Sequence, residues 1–174
     1  NNFKTIYDLP AVKRSPFLLN PIGRLDFRTE GLLLLANDGQ FIHDLTHPSS
    51  HIPRTYHTLV AGKLTKQELA NINKKGLTLK DGHVHCKMTF IRRQRLGNSI
   101  GSWYSVTVFE GRNRLIRRIF DTHLQMRVLR LIRISIGTVH LTEDLKPGKC
   151  RALKAKEVSS LKQLIESSHS KVTN

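Results

Sequence analysis

Apolar side chains recur along this chain with two different periods, and those periods predict both strands and helices. Residues 103–109 alternate in polarity, with Tyr104, Val106 and Val108 on one face, as expected of a strand that buries one side. Residues 113–123 instead gather their apolar side chains on one arc of a helix. The chain is therefore predicted to be neither all-helical nor all-β.

The same reasoning extends to the rest of the chain and predicts an α+β fold. The short apolar run 32–36 predicts a strand buried on both faces, and 94–102 predicts a polar loop. Thr65 and Glu68 have capping-box spacing at the start of a helix that Gly76 ends. Because strands and helices do not alternate strictly, we expect a mixed, largely antiparallel sheet with flanking helices. The other predicted strands are 54–60, 77–79, 127–136 and 150–153, with 83–93 returning from 77–79 as a hairpin, and the other predicted helices are 40–46 and 156–167.

A polar turn precedes the apolar run 32–36, and it holds one conspicuous carboxylate. Asp26 lies between Arg24 and Glu30 in this turn. An aspartate in a turn is most often a backbone cap, so composition alone does not make Asp26 catalytic. Asp26 and Glu30 could also form the acid pair of a glycosidase, but Glu30 is followed directly by the predicted strand. We expect Glu30 to be structural, accepting backbone N–H groups at the turn.

The net charge of the chain indicates which class of molecule it binds. The chain of 174 residues has 29 Lys and Arg against 13 Asp and Glu, a formal net charge of +16. Nucleic acid is the usual polyanion for such a surface, although a merely soluble basic surface is the simpler alternative. No apolar run approaches the ~20 residues that cross a bilayer, so no membrane association is expected.

Cysteine and histidine spacing gives no sign of a metal site or a disulfide scaffold. Cys86 and Cys150 lie far apart, which favours a reducing compartment. His83 and His85 are the one close histidine pair, and no cysteine or carboxylate beside them has ligand spacing. We therefore expect no metal.

The helix 113–123 opens with a dense group of basic residues. Four arginines fall within seven residues, and Asn113 is expected to cap the helix. Such a group is typical of a phosphate-binding surface. Arg117 lies at the border of the apolar arc, where it could enter a pocket and pair with a carboxylate. The four arginines are Arg112, Arg114, Arg117 and Arg118.

Four ordered motifs resemble those of RNA pseudouridine synthases, and more narrowly of the RsuA-type branch that modifies ribosomal RNA. The first runs from Gly23-Arg24-Leu25-Asp26 through Thr29-Glu30-Gly31 to Asn37-Asp38-Gly39. One departure is Leu115, where the branch usually has glutamine. The other motifs are Arg54-Thr55-Tyr56, then Glu110-Gly111-Arg112-Asn113-Arg114 through Arg117-Arg118, and finally Leu131 to Arg133 with Ile136-Gly137, Leu145-Lys146-Pro147-Gly148, Arg151 and Leu153.

The resemblance implies a role for particular side chains. It makes Asp26 the nucleophile or the key base of a uridine isomerisation that needs no cofactor, with Arg117 paired to it. Tyr56 would stack on the flipped uracil and move a proton, while Leu131 would pack under the base. Arg24 would hold the target backbone or fill the vacated stack. The remaining expected RNA contacts are Arg112, Asn113, Arg114, Arg118 and Arg133.

The resemblance also implies a domain organisation and a setting. We expect 1–174 to be a catalytic domain that lacks its first strand and any preceding small RNA-binding domain, with an approach loop at 1–20 and a frayed tail at 168–174. Ribosomal RNA is the expected partner of a monomer in a bacterial-type cytoplasm, or in an organelle if a targeting segment has been removed.

Two alternatives stay open. A non-catalytic rRNA-binding or ribosome-assembly protein on the same fold would explain the net charge equally well, and a metal-dependent nuclease is a distant third. An enzyme requires Asp26, Tyr56 and Arg117 to converge on one pocket, with carboxylate and guanidinium within hydrogen-bonding distance.

Overall fold

The computed structural model describes residues 4–170, apart from the side chain of His169. The helices are α1 (Pro10–Lys13), α2 (Gly39–Thr46), α3 (Lys66–Lys75), α4 (Leu115–Arg117) and α5 (Ala155–Ser170). The strands are β1 (Asn20–Ile22), β2 (Glu30–Gly31), β3 (Leu34–Ala36), β4 (Arg54–Ala61), β5 (Leu77–Leu79), β6 (Gly82–Val84), β7 (Cys86–Leu96), β8 (Ser99–Val108), β9 (Val128–Ile136) and β10 (Val139–His140).

A six-stranded sheet is the platform of the fold. Its strands follow the order β10-β9-β4-β8-β7, and β2 adds to β9. All of these pairs are antiparallel except β2 with β9, which is parallel. The predicted α+β class with a mixed, largely antiparallel sheet is confirmed.

Two hydrophobic clusters pack against the sheet. The first packs Tyr104 and Val106 of β8 against Phe120, just after α4. The second packs Leu45 of α2 against Leu161 of α5. Burial of large apolar side chains in these two clusters explains why most core-facing positions were recognisable from periodicity.

The predicted ends of α2 and α3 are confirmed. Asp38 caps α2 by accepting a hydrogen bond from the Phe41 N–H at 3.0 Å. Thr65 and Glu68 form the predicted capping box of α3. Gly76 ends α3 with a φ of 71°, a left-handed value that glycine adopts without strain.

The prediction of a polar loop at 94–102 is wrong. β7 and β8 continue through it and pair as far as Leu96 with Ser99, so only a two-residue turn separates them. The Trp103 Nε1–H donates to Gln94 Oε1 at 2.6 Å across the two strands. A backbone ladder holds this part of the hairpin, and its outward side chains are polar, so no apolar alternation marked it in the sequence.

Other strand predictions need correction. The run 32–36 is not a strand buried on both faces: only Leu34–Ala36 is extended, and it pairs with β1 alone. The hairpin after β5 closes with the short β6, and β7 starts separately at Cys86. Residues 150–153 form no strand, because Arg151 instead makes an ion pair with Glu157 at 2.7 Å.

The ends of the chain also differ in part from expectation. The approach region 1–20 contains α1 and the first residue of β1, so it is not simply a loop. α5 extends through Ser170, which corrects fraying at 168–170. The rest of the predicted tail and residues 1–3 lie outside the described residues.

Candidate active site

A cleft of about 290 Å³ opens beside the turn that carries Asp26. Tyr56 from β4 and Leu131 from β9 line the same cleft as Asp26. Ligand pockets commonly measure about 300–1,000 Å³, so this cleft lies at the small end and suits one nucleoside better than an oligonucleotide.

Asp26 projects from a tight turn of the backbone. The Thr29 N–H donates to the Asp26 carbonyl at 2.8 Å, which closes the turn. The Asp26 side chain is half-buried and makes no hydrogen bond or ion pair with any residue of the range 4–170. Its oxygens are therefore available to a bound molecule, unlike those of a backbone cap.

Arg133 fixes the backbone of this turn through hydrogen bonds. The side chain is 2% exposed, and its Nε–H donates to the Leu32 carbonyl at 2.8 Å while Nη1 donates to the Arg24 carbonyl at 3.1 Å. These two carbonyls lie on either side of Asp26 in the sequence. Nη2 is buried without a partner in the described part of the chain, and Arg133 lines the cleft. Arg133 was expected to contact RNA, yet two of its donors are already bound to the protein backbone.

A close backbone contact joins the turn to β9. The Leu32 N–H donates to the Arg133 carbonyl at 2.8 Å. Gly31 has a φ of 108°, and a Cβ at this position would lie 2.2 Å from the Arg133 carbonyl oxygen. Glycine is therefore required where β2 meets β9.

Glu30 is structural, but its partner differs from the one expected. It accepts hydrogen bonds from Arg130 Nε at 2.9 Å and Nη2 at 2.8 Å rather than from backbone N–H groups. These bonds hold the pKa of Glu30 below its ordinary value. The pair ties the end of the turn to β9 a second time.

Tyr56 and Leu131 form the apolar wall of the cleft. Leu131 is 3% exposed, and Tyr56 packs partly against the first hydrophobic cluster. Arg54, two residues before Tyr56, also lines the cleft. It donates to the Leu45 carbonyl at 3.1 Å, and burial lowers the pKa of its guanidinium. Only its place in the tyrosine motif signalled Arg54 in the sequence.

The predicted ion pair between Asp26 and Arg117 is not formed. Arg117 Nη2 donates instead to the Arg28 carbonyl at 2.6 Å, on the same turn. Arg117 lines a second cavity, of about 890 Å³, which adjoins the cleft and shares Asp26 with it. The three predicted catalytic side chains thus converge only in part: Asp26 and Tyr56 share the cleft, and Arg117 faces Asp26 from the neighbouring cavity.

A change in how the helix begins accounts for this placement. Asn113 does not cap α4; Arg114 does, with a left-handed φ of 48°. The helix then widens into a π-helical turn, Arg118–His123. The left-handed Arg114 therefore gives Arg117 a different direction from the one expected of a regular helix capped by Asn113, and the π-helical turn follows after Arg117.

Two of the four clustered arginines form ion pairs within the protein. Arg112 pairs with Glu110 at 2.6 Å and donates to the His83 carbonyl at 2.8 Å. Arg118 pairs with Asp81 at 2.8 Å, and this bond lowers the pKa of Asp81. Acidic partners already bind both side chains in this structure, and their role as direct RNA contacts stays a prediction.

The other arginines near the cleft remain exposed. Arg24, Arg114 and the exposed Asn113 line both cavities. Arg28 and Arg127 join them in the second cavity, although the motifs did not single them out. Their side chains come together only in the folded chain, so sequence spacing gave no signal of this basic surface.

A comparison with protein families decides the class of this chain. Residues 4–122 match the family described as RNA pseudouridylate synthase. The chain belongs to this family.

Curated relatives of this family resemble nearly the whole chain. A protein of Haemophilus influenzae named "Ribosomal large subunit pseudouridine synthase B" is 36% identical over 92% of this chain and 43% of its own length. A protein of the same name from Buchnera aphidicola is 38% identical over 83% of this chain and 56% of its own length. An "Uncharacterized RNA pseudouridine synthase" of Aquifex aeolicus is 37% identical over 91% of this chain and 60% of its own. The chain spans about half the length of the curated relatives it matches.

Solved structures agree with the family assignment. A crystal structure described as a pseudouridylate synthase superposes with a TM-score of 0.68 at 30% identity, covering 90% of this chain and 63% of that one. Cbf5, in the archaeal box H/ACA sRNP Nop10–Cbf5 complex, shares the fold alone, with a TM-score of 0.52 at 16% identity.

Two other features are absent from the described residues. Within residues 4–170, no group of three or more His, Cys, Asp or Glu side chains is placed to hold a metal ion. No helix in that range has the length and apolar character needed to span a membrane.

Proposed function

We propose that this chain isomerises a uridine of ribosomal RNA to pseudouridine, with Asp26 as the nucleophile and no cofactor. The observation that carries the proposal is the unpartnered Asp26 carboxylate in a cleft walled by Tyr56 and Leu131. The small volume of the cleft requires the target base to leave its stack, which costs a few kcal/mol that phosphate contacts offset.

In the proposed reaction, one oxygen of Asp26 bonds to C1′ of the ribose as the bond from C1′ to N1 of uracil breaks. The uracil turns over against Tyr56 and Leu131, and its C5 then attacks C1′ and displaces the carboxylate. The proton lost from C5 is balanced by the proton that N1 gains, so product and substrate are isomers. The Tyr56 hydroxyl is the side-chain group that we assign to this proton transfer from C5.

The arginines have two roles in this proposal: one positions Asp26, and the others bind phosphate groups of the RNA. Arg133 positions Asp26 through the backbone of its turn. Arg24 and Arg114 hold phosphates at the edge of the cleft, and Arg117 holds a neighbouring phosphate from the second cavity. Residues 4–170 would supply the catalytic part of the protein.

The printed names of the curated relatives favour large-subunit ribosomal RNA as the substrate. We propose that the protein acts on it as a monomer where ribosomes assemble, which is the cytoplasm for a bacterial-type chain. Mapping pseudouridines in the RNA of both subunits, with and without the gene, tests the choice of substrate.

The decisive variant is Asp26→Asn, which keeps the shape of the side chain and removes its negative charge. We expect conversion to fall below detection while RNA affinity stays within a few-fold, measured by mass spectrometry of the RNA and by fluorescence anisotropy. Asp44→Asn, at a half-buried position on α2 that lines neither cavity, is the matched control and should keep full activity. Product formation by the Asp26 variant would exclude Asp26 as nucleophile, and a wild-type protein that binds RNA without converting it would favour the non-catalytic alternative.

A further inference from the structure

The hairpin of β7 and β8 is a strongly basic projection that the cleft does not use. No Asp or Glu occurs between Cys86 and Val108. Arg92, Arg93 and Arg95 are all exposed near its tip. None of these three guanidinium groups takes part in an ion pair within the described part of the chain.

The register of the sheet places this group at the far end from the cleft. Val108, at one end of β8, lines the cleft, whereas Ser99 starts the strand beside the turn. At ~3.3 Å per residue, the tip lies about 30 Å from the cleft along the strand. β4 stops at Ala61, opposite Gly101, so the last pairs of the hairpin extend beyond the neighbouring strand.

The hairpin also carries side chains that favour nucleic acid over simple solvation. Arg92 and Arg93 lie on opposite faces of β7, and the Arg92 guanidinium lies 6.0 Å from the Trp103 ring. Exposed Ile91 and Ile100 lie among these arginines, at 40% and 52% exposure. Planar guanidinium groups on both faces of a projection can follow a curved phosphate backbone.

Protection of a sheet edge is the alternative explanation, because β7 is the outer strand of the sheet. Charged side chains commonly prevent edge strands from pairing with other chains. Part of this edge is already protected: the Asn73 side chain donates to the Met88 carbonyl at 2.8 Å and accepts from the Met88 N–H at 2.7 Å. Residues 89–96 of β7 lie beyond that point, so edge protection is kept as one outcome of the experiments below.

We propose that the basic hairpin tip, residues 91–100, binds the phosphate backbone of helical RNA about 17–30 Å from the cleft along the strand. The choice of RNA as the partner rests on the proposed function, but the arm would act in binding and not in the chemical step. An RNA that fills only the cleft would not reach it, so the arm adds affinity for substrates with an adjacent helix.

The first experiment compares two triple variants with equal loss of charge. The arm variant is Arg92→Gln with Arg93→Gln and Arg95→Gln. The matched control is Lys149→Gln with Lys156→Gln and Lys162→Gln, which are exposed lysines outside the hairpin. Binding of a long uridine-containing RNA stem-loop and of a short uridine oligonucleotide is measured by anisotropy over a range of salt concentrations.

We expect the arm variant to bind the stem-loop at least about tenfold more weakly and to lose about 2–3 from the slope of log affinity against log salt. Its binding of the short oligonucleotide should change no more than that of the control. Replacing the same three arginines with lysine should restore most of the affinity. An unchanged slope, or an equal loss in the control, would overturn the proposal.

A cross-linking experiment does not depend on how well the arginine variants fold. Asn98→Cys in a Cys150→Ser background places one exposed thiol at the hairpin turn, because Cys86 is buried. A benzophenone at this thiol should cross-link to the stem-loop, and unlabelled stem-loop should compete. Absence of cross-linking to a bound stem-loop would contradict the proposal. If the arginines only protect the sheet edge, the arm variant should aggregate, and its monomer should bind RNA with an unchanged salt slope. Because these measurements report binding, failure to form pseudouridine would count against the proposed function and leave this inference intact.

Discussion

Arg133 is the residue on which the placement of Asp26 depends most directly. It is buried, and it donates to carbonyl groups on both sides of the aspartate. A buried cation is costly unless its donors are bound, so its partners are normally specific. Removing the guanidinium would leave two carbonyls without a donor and release the turn.

Replacement of Arg133 by lysine or glutamine should therefore lower kcat much more than it raises KM. We expect kcat to fall by about tenfold or more, because a small displacement of a reacting group costs about that much. Stability should fall by about 1–3 kcal/mol, as for buried polar groups left unpaired. Steady-state kinetics and urea unfolding provide the measurements.

The matched control is Arg130→Gln, on the same strand, which removes the exposed ion pair with Glu30. Exposed pairs contribute about 0–1 kcal/mol, so this variant should keep nearly full kcat. If Arg133→Gln changed only KM, Arg133 would be an RNA contact and not a positioning residue.

Sequence reasoning located the main chemical groups but not all of their partners. Asp26, Tyr56 and Leu131 share a cleft as their motifs predicted. The partner of Arg117 was mispredicted because the helix starts after a left-handed residue, Arg114, and such a start has no periodic signature. The acid that binds Arg118 is Asp81, and separation of the two along the chain hid this pair.

At the scale of elements, the short parallel contact of β2 with β9 matters more than its length suggests. It is the point at which the Asp26 turn joins the main sheet. This contact could not be predicted from the sequence, because a strand of two residues is too short to show an alternation of apolar and polar positions. The continuation of β7 and β8 through 94–102 was missed for a different reason: most of its outward residues are polar, and a backbone ladder instead of burial holds them.

Gly31→Ala should break the contact of β2 with β9. A methyl group would meet the Arg133 backbone, and the positive φ would add strain. We expect a loss of about 2–4 kcal/mol in the free energy of unfolding, with reduced activity at temperatures where the chain stays folded.

Gly148→Ala is the control that separates backbone strain from the steric clash at Gly31. Gly148 also has a positive φ, of 76°, but no atom lies within 4 Å of a Cβ at this position. The variant should lose only about 1 kcal/mol. Equal losses in the two glycine variants would show that the close approach to β9 is not limiting.

For the whole molecule, pH should affect stability mainly through paired carboxylates. Hydrogen bonds from Arg151 lower the pKa of Glu157 to about 2, and those from Arg130 and Arg118 lower the pKa values of Glu30 and Asp81. A lowered pKa in the folded state stabilises the protein above the unfolded pKa, near 4, and the effect is lost as pH falls through the folded pKa.

We therefore expect Tm to decline from about pH 5 to about pH 2, measured by differential scanning calorimetry. Glu157→Gln should lower Tm at neutral pH and flatten this decline. Glu143→Gln, at an exposed position on the surface, should leave the pH profile unchanged. A Glu157 variant with an unaltered profile would show that this ion pair does not contribute to acid sensitivity.

The two hydrogen bonds from Arg133 to the backbone of the Asp26 turn affect how the choice of RNA target can change. Arg133 binds main-chain oxygens, which every amino acid supplies, and so places no demand on the side chains of Arg24 or Leu32. Arg24, Phe27 and Arg28 are exposed on the same turn. Substitutions at these positions could therefore exchange one RNA target for another during evolution, or in a selected library, while the carboxylate stays in register with its cleft.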